Sequence, residues 1–297
     1  MYPRRVGQLD HRGFFAGGTG RAWPACLAAI ALLPPLAILT QTHTQEAAAP
    51  TAITPVNAKT WLGRSAEIEA FLKTAEVDRL ENLKIGVTKP QRVYFTPGEL
   101  VESAAWKPLK PGMYHGYWDS YKAEIGAYEI DKLLGLDMVP PAVERRIKGD
   151  LGAAILWVTP ARMWTMDETG MPQTPEWRRQ VVRMKMFDDL IGNIDRNPAN
   201  LLVDPSWNLI LIDHSRALTD EEYLPTHLSR IDTDLWAKMN AVTAESLTTA
   251  VGQWIGKTAI KAILARRAEM QKAIDELVKS KGEAAVLLPP LPPASQR

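Results

Sequence analysis

The sequence predicts an α+β fold in two lobes, the first rich in strands and the second mainly helical, with a cleft between them. Three observations carry this expectation. Up to about residue 158, apolar residues fall largely in short runs bounded by Gly, Pro and Thr, as strands and hairpins do. Beyond residue 174 they recur at helical spacing over long segments. Between these regimes a long amphipathic helix leads directly into a polar loop and then a short apolar hairpin.

The elements follow in order. Arg4, Arg5, Arg12 and Arg21 precede an apolar stretch from Ala22 to Leu39, and Ala47-Ala48-Ala49 offers small residues for cleavage. Residues 1–49 are therefore expected to be a signal peptide or membrane anchor, with Pro34-Pro35 making a poor spanning helix. The rest would then be exported, to a periplasm or secretory lumen, or held at a membrane; a mis-assigned start codon would make it cytoplasmic. Cys26, the single cysteine, lies inside that segment, so the remainder can form no disulfide. Residues 50–60 read as a linker. The first lobe is expected over about 61–158 and the second over about 159–282.

Trp61 to about Leu80 has helical periodicity. Val93-Tyr94-Phe95 and Leu100–Trp106 flank Thr96-Pro97-Gly98-Glu99, a hairpin signal, and Pro111–Asp119 reads as an aromatic loop. A helix over Ser120–Leu134 has Asp119 or Ser120 to cap it and Gly135 to end it. Val139–Val143 and Ala153–Val158 read as strands. Thr174-Pro175 opens a second long helix that ends at Gly192, with Trp177, Val181, Met184, Phe187 and Ile191 on one face. The clearest later helix spans about Lys257–Lys279, and the Pro-rich residues 283–297 are expected to be a disordered tail.

The composition bounds the function. With 297 residues, 46% of them hydrophobic, the chain can bury a real core, and a net charge of +1 without a basic stripe excludes a nucleic-acid binder. A monomer is expected.

The chemistry gathers after the second helix. Asp195 is followed by Asn200 five residues on and by Asp213 thirteen residues after that. Leu201-Leu202-Val203 and Leu209–Ile212 flank the turn Asp204–Asn208, so a hairpin would bring Asn200 and Asp213 close together. Phosphoryl transfer needs such a set: a carboxylate to orient or accept the proton of the attacking hydroxyl, and hard oxygen ligands for a divalent metal on the phosphates. A kinase catalytic loop and its metal-binding Asp have this order and spacing. Upstream, Lys107 ends an apolar strand and Glu124 lies in the first turn of the next helix, the pair that would fix nucleotide phosphates. Lys110, Lys122 and Glu129 compete for those roles. No glycine-rich phosphate loop precedes Lys107; Gly86 and Lys89 are the candidates for phosphate contact. Trp157 and Val158 fall, by position, where the adenine would lie. Arg196 either pairs with a carboxylate or contacts substrate phosphate. His214 is expected to pack rather than act as acid or base.

Two longer motifs carry a family resemblance. The run YKAEIGAYEIDKLLGLDMVPP, Tyr121–Pro141, and the run FDDLIGNIDRNPAN, Phe187–Asn200, resemble signatures of the secretory-pathway kinases of the Golgi casein kinase/four-jointed type and their bacterial relatives. Ile212-Asp213-His214-Ser215 resembles their metal-binding motif, and the Asp195–Asn200 element is more distantly similar to HipA-type and phosphatidylinositol kinases. The resemblance implies a protein-kinase-like fold, ATP with Mg²⁺ or Mn²⁺, and transfer to a hydroxyl acceptor, either protein or small molecule. By that likeness Asp195 is the base, Lys107 holds phosphates, Glu124 supports Lys107 or metal, and Asn200 and Asp213 bind metal. Two departures stand out: the animal members are stapled by disulfides, and Ser215 replaces the glycine of D-F-G, with less backbone freedom. The competing expectations are a pseudokinase scaffold and a small-molecule or lipid kinase.

Overall fold

The computed structural model describes residues 57–83, 90–164 and 170–290. The chain is α+β, with a sheet-rich N-terminal region and a helical C-terminal region. A short helix α1 (Ser65–Thr74) precedes strands β1 (Val77–Asn82), β2 (Gln91–Phe95) and β3 (Ser103–Lys107). A small hairpin of β4 (Gly112–Tyr114) and β5 (Tyr117–Asp119) leads into helix α2 (Tyr121–Leu134), and β6 (Ala142–Ile147) and β7 (Asp150–Leu156) follow. Five strands form one antiparallel sheet in the order β1-β2-β3-β7-β6.

Strand alternation decides what each face of this sheet meets. Ala104 and Trp106 of β3 point, with Val93, Phe95, Val143 and Leu156, into a core closed by Ile68 and Leu72 of α1. The intervening residues, Ala105 and Lys107 on β3 and Ala153 and Ile155 on β7, therefore face the other way, toward α2 and the cleft. Lys107 reaches the cleft because its strand is in that register.

The second region contains β8 (Arg162–Met163), helix α3 (Pro175–Ile191), a 3-10 turn at Pro198–Asn200, and the hairpin β9 (Leu201–Val203) and β10 (Leu209–Leu211). Then come β11 (Ile231–Asp232), α4 (Thr233–Ala241), α5 (Ala244–Val251), α6 (Lys257–Lys281), α7 (Glu283–Val286) and β12 (Leu287–Leu288). Thr174 caps α3 by accepting from the Trp177 amide, and Ser120 caps α2 by accepting from the Lys122 amide. Phe187, Leu190 and Ile191 of α3 and Ile263, Met270 and Ile274 of α6 pack in one core with Ile125, Tyr128 and Leu134 of α2. Gly192 ends α3 at φ 66°, and a Cβ there would lie 2.8 Å from Cζ of Arg266, which is fully buried and donates to the Leu190 carbonyl. Among the described residues no helix is long and apolar enough to cross a membrane.

Several expectations are corrected. The helix expected to reach Leu80 ends at Thr74, and Val77–Asn82 instead pairs with β2, because only Ile68 and Leu72 give α1 a buried face. Pro111–Asp119 is a hairpin rather than a loop; His115 and Gly116 both take positive φ, as a two-residue primed turn requires. The strand expected from Val139 begins at Ala142, since Pro140 and Pro141 have no N–H to donate. Its partner runs Asp150–Leu156 after a turn at Lys148-Gly149. Of the tail expected to be disordered over 283–297, the first part forms α7 and β12, with Leu287–Leu288 paired parallel to Ile231–Asp232, while residues 291–297 lie outside the described residues. The linker expected over 50–60 is docked at its end: Ala58 is buried and its amide donates to Asp204 Oδ2 at 3.0 Å. The leader at 1–49 lies outside the described residues.

Gly152 on β7 carries a constraint on the cleft. A Cβ there would sit 2.6 Å from the Lys107 carbonyl oxygen and 2.8 Å from Pro108 Cα, all backbone. Gly152→Ala is expected to cost about 1–3 kcal/mol in urea unfolding, because the strand bearing Lys107 has to move.

Candidate active site

The cleft is built around one ammonium. Lys107 Nζ donates to Glu124 Oε1 at 2.7 Å and to Asp213 Oδ1 at 2.8 Å. Lys107 and Glu124 are buried, 7% and 2% exposed, so this pair is almost wholly removed from water. Burial disfavours the charged ammonium, but the two carboxylates outweigh it and hold Lys107 above its ordinary pKa. Burial likewise opposes ionised Glu124, and the Lys107 charge with the His214 hydrogen bond overcomes it and holds the carboxyl below its usual range. The His214 amide donates to Glu124 Oε2 at 3.0 Å, so both oxygens of Glu124 are used.

Each partner comes from a different element. Glu124 is held by the first turn of α2, whose cap Ser120 also donates its amide to the Ser215 carbonyl at 2.9 Å. Asp213 follows β10 and takes φ 61°, the left-handed region that an Asp tolerates better than most residues. That turn lets one carboxylate oxygen meet Lys107 while a third of the side chain stays exposed.

Arg196 organises the loop. Its Nε and Nη2 each donate to Asp188 at 2.9 Å, and Nη1 donates to the carbonyls of Asn200 and Ile212, both at 2.8 Å. Nη2 also lies 2.9 Å from His214 Nε2; a guanidinium only donates, so that nitrogen accepts and the imidazole proton sits on Nδ1. Arg196 therefore pairs with a carboxylate, one of the two expectations for it, and ties the Asp195–Asn200 loop to α3 and to Ile212 just after β10. Asp188 is fully buried and also accepts from Asn193 Nδ2 at 2.9 Å. His214 is buried as well and packs edge-on against Phe187 at 6.2 Å between ring centres. Burial pushes its pKa below the ordinary 6.5, so it is neutral.

Asn200 and Asp195 complete the set. Asn200 Nδ2 donates to the Asp195 carbonyl at 2.9 Å, which ties the loop and leaves the amide oxygen to serve as a ligand. Asp195 is the most open member: its side chain is 39% exposed, with Oδ2 3.2 Å from Arg216 Nη1. Partial burial raises its pKa against the pull of Arg216. Arg216 also donates from Nε to Asp119 Oδ1 at 3.1 Å.

Lys107, Glu124, Asn200, Asp213, Trp157 and Val158 all line one cavity of about 350 Å³. Gly86 and Lys89 lie outside the described residues. Of the competitors, Lys110 is 3.9 Å from Asp150 and Glu129 is 3.0 Å from Lys132, neither of them in this cavity, and Lys122 lines a neighbouring groove. Among the described residues no three His, Cys, Asp or Glu converge as a metal cage. Mg²⁺ and its like do not require one, since one or two protein oxygens plus substrate phosphates suffice. The hard oxygens of Asp213 and Asn200 on this cavity fit that need.

Sequence reasoning missed four contributors. Asp188 stood inside a quoted motif, and its signal was an acid beside Phe187 on an otherwise apolar helix face. Asp119 and Arg216 are 97 residues apart, with no local signal. Gly152 showed only as a glycine within an apolar run.

No family model matches the chain, and no curated protein matches it. Solved structures do. The Golgi casein kinase is similar with a TM-score of 0.56 at 15% identity, over 75% of this chain and 78% of that one. The same kinase with Mn and ADP bound gives 0.57 at 14% identity, over the same shares. A hydra Fam20 with sugar gives 0.54 at 14% identity, over 75% of this chain and 92% of that one. At such identities the likeness is one of fold, and the chain has the fold of these kinases.

Two outcomes follow from the Arg196 hub. Asp188→Ala strands a buried guanidinium and is expected to cost about 3–5 kcal/mol in urea unfolding. The buried neutral His214 resists protonation, while the unfolded chain takes up that proton as pH falls through 6.5. Its contribution to stability is complete above that pH and is lost below it. The stability advantage of the wild type over His214→Gln in urea unfolding should therefore shrink as pH falls below about 6.5, a difference that cancels the other titrating groups.

Proposed function

We propose that the chain is an ATP-dependent phosphotransferase of the kinase-like type, acting on a hydroxyl acceptor carried by a protein. The observation that carries this reading is the buried ion cluster of Lys107, Glu124 and Asp213 on a cavity shared with Asn200. Burying an ammonium between two carboxylates seldom improves on an apolar contact of the same volume, so stability alone does not account for it. A scaffold has no use for a buried lysine beside a half-exposed Asp and an Asn with a spare oxygen. ATP and Mg²⁺ or Mn²⁺ enter by likeness of fold to the kinase solved with Mn and ADP.

The charge of the site supports a divalent cation. Three groups of ion pairs lie here, Lys107 with Glu124 and Asp213, Arg196 with Asp188, and Arg216 with Asp119 and Asp195: three cations against five carboxylates. Asp213 and Asp195 are the most open of these carboxylates, with side chains 32% and 39% exposed.

In this reading Lys107, placed by Glu124, binds the nucleotide phosphates, and Asn200 and Asp213 present oxygens to the metal. A bound metal supplies charge neutralisation on the phosphates. Trp157 and Val158 line the base end of the cavity. Asp195 orients the acceptor hydroxyl and takes its proton as the oxygen bonds to the γ-phosphorus. The bond from that phosphorus to the β–γ bridging oxygen breaks, and ADP leaves. The raised pKa of Asp195 makes it a better base than an open carboxylate.

The test is turnover of labelled ATP by the purified chain with Mg²⁺ or Mn²⁺. Asp195→Ala is expected to lower phosphate transfer by roughly 10²–10⁴-fold. Asp213→Ala is expected to abolish metal-dependent nucleotide binding as well. Wild-type protein that neither binds nor turns over ATP with either metal overturns the enzyme reading in favour of a scaffold.

A further inference from the structure

A second concavity, of about 760 Å³, is lined in part by Arg216. Its walls are the β4–β5 hairpin, the start of α2, Ile194 of the catalytic loop, the stretch 216–223 and the chain entering α6. The nucleotide cavity uses none of these residues. Large apolar side chains normally avoid water, yet Met113, Tyr117, Trp118, Ile194 and Tyr223 line this groove while 40 to 66% exposed. They make up five of the nine large hydrophobic residues that the described chain exposes, so the exposure is concentrated here.

We propose that this groove receives the acceptor, and that the acceptor is an extended protein segment whose Ser or Thr is flanked by apolar or aromatic residues. The proposal rests on the phosphotransferase reading and names the substrate of the same site.

The first argument is continuity with the base. Arg216 lines the groove, stacks over the Tyr117 ring at 4.5 Å and reaches Asp195 Oδ2 at 3.2 Å. Ile194, adjoining Asp195 in the chain, is itself a wall. A segment seated against Tyr117 and Ile194 is one side chain away from Asp195.

The second argument is charge. The charged residues of the lining are Lys122, Arg216, Asp220 and Glu221, two of each sign. Arg216 is already engaged by Asp119 and Asp195. An acceptor with acidic flanks would need an uncompensated basic lining, which the groove lacks. Aromatic and sulfur side chains instead match apolar and aromatic flanks.

The third argument is backbone. β4 and β5 form a two-stranded sheet of their own, so each has an outer edge without a strand partner among the described residues. Such edges accept an extended chain by main-chain hydrogen bonding, with neighbouring pockets reading alternate side chains. This favours a protein segment over a compact small molecule.

The test is a positional-scanning library of Ser and Thr peptides, phosphorylated by the full chain with labelled ATP and Mn²⁺. Selection of apolar or aromatic residues next to the acceptor is expected. For the best peptide, Trp118→Ala and Tyr223→Ala should each raise KM about tenfold with little change in kcat, the signature of lost ground-state binding. Metal-dependent nucleotide affinity, measured on the same samples, reports whether the lobes remain intact. Selection of acidic flanks, a KM unchanged in both variants, or labelling of small hydroxyl compounds but no peptide overturns the groove assignment and leaves phosphotransfer standing. A wild-type chain without metal-dependent nucleotide binding removes both readings, and that measurement tells the two failures apart.

Discussion

The buried ammonium of Lys107 is the constraint on which the site depends. It is satisfied only if β3, α2 and the segment after β10 meet at one point, because its two carboxylates come from the other two elements. Much of the surrounding architecture maintains that meeting. Gly152 lets β7 lie against the Lys107 backbone, Ser120 ties the start of α2 to Ser215, and the Arg196–Asp188 pair anchors the loop to α3. A buried charge cluster tolerates little misplacement, since a lost partner leaves an uncompensated ion in low dielectric.

How much of this was legible in the sequence depends on range. Capping and periodicity are local, so Ser120–Gly135 and Thr174–Gly192 could be bounded to within a residue. The hairpin between Asn200 and Asp213 was legible for the same reason, as a turn between two apolar runs. The pairing of Lys107 with Glu124, 17 residues apart, was reached through motif spacing, and the structure brings them together with Asp213. What stayed hidden was long-range. Nothing near Asp119 announces Arg216, and nothing near Ala58 announces Asp204, 146 residues away. Likewise β12 joins β11 through main-chain bonds, which leave little trace in a Pro-rich tail. The helix expected to run to Leu80 failed differently: Val77 and Leu80 fit either period, and pairing with β2 decided for a strand.

Ser215 shows how a departure from a motif is absorbed. Glycine at that place would give the metal loop freedom, and serine was expected to restrict it. The structure locates the restriction in hydrogen bonds. The Ser215 carbonyl accepts from the Ser120 amide, and its hydroxyl lies 3.2 Å from Asp119 Oδ1 and 3.4 Å from Asp213 Oδ1. Positive φ is carried by Asp213 and Leu218 on either side of it. Leu218 in turn donates its amide to the Ile191 carbonyl and fills the space over Gly126 on α2. The loop is thus fastened to α2 at Ser215 and to both α2 and α3 at Leu218. These contacts hold the loop from Asp213 to Leu218 in one position. Asp213 keeps its contact with Lys107 while a third of its side chain stays exposed, which is what its proposed role as a metal ligand requires.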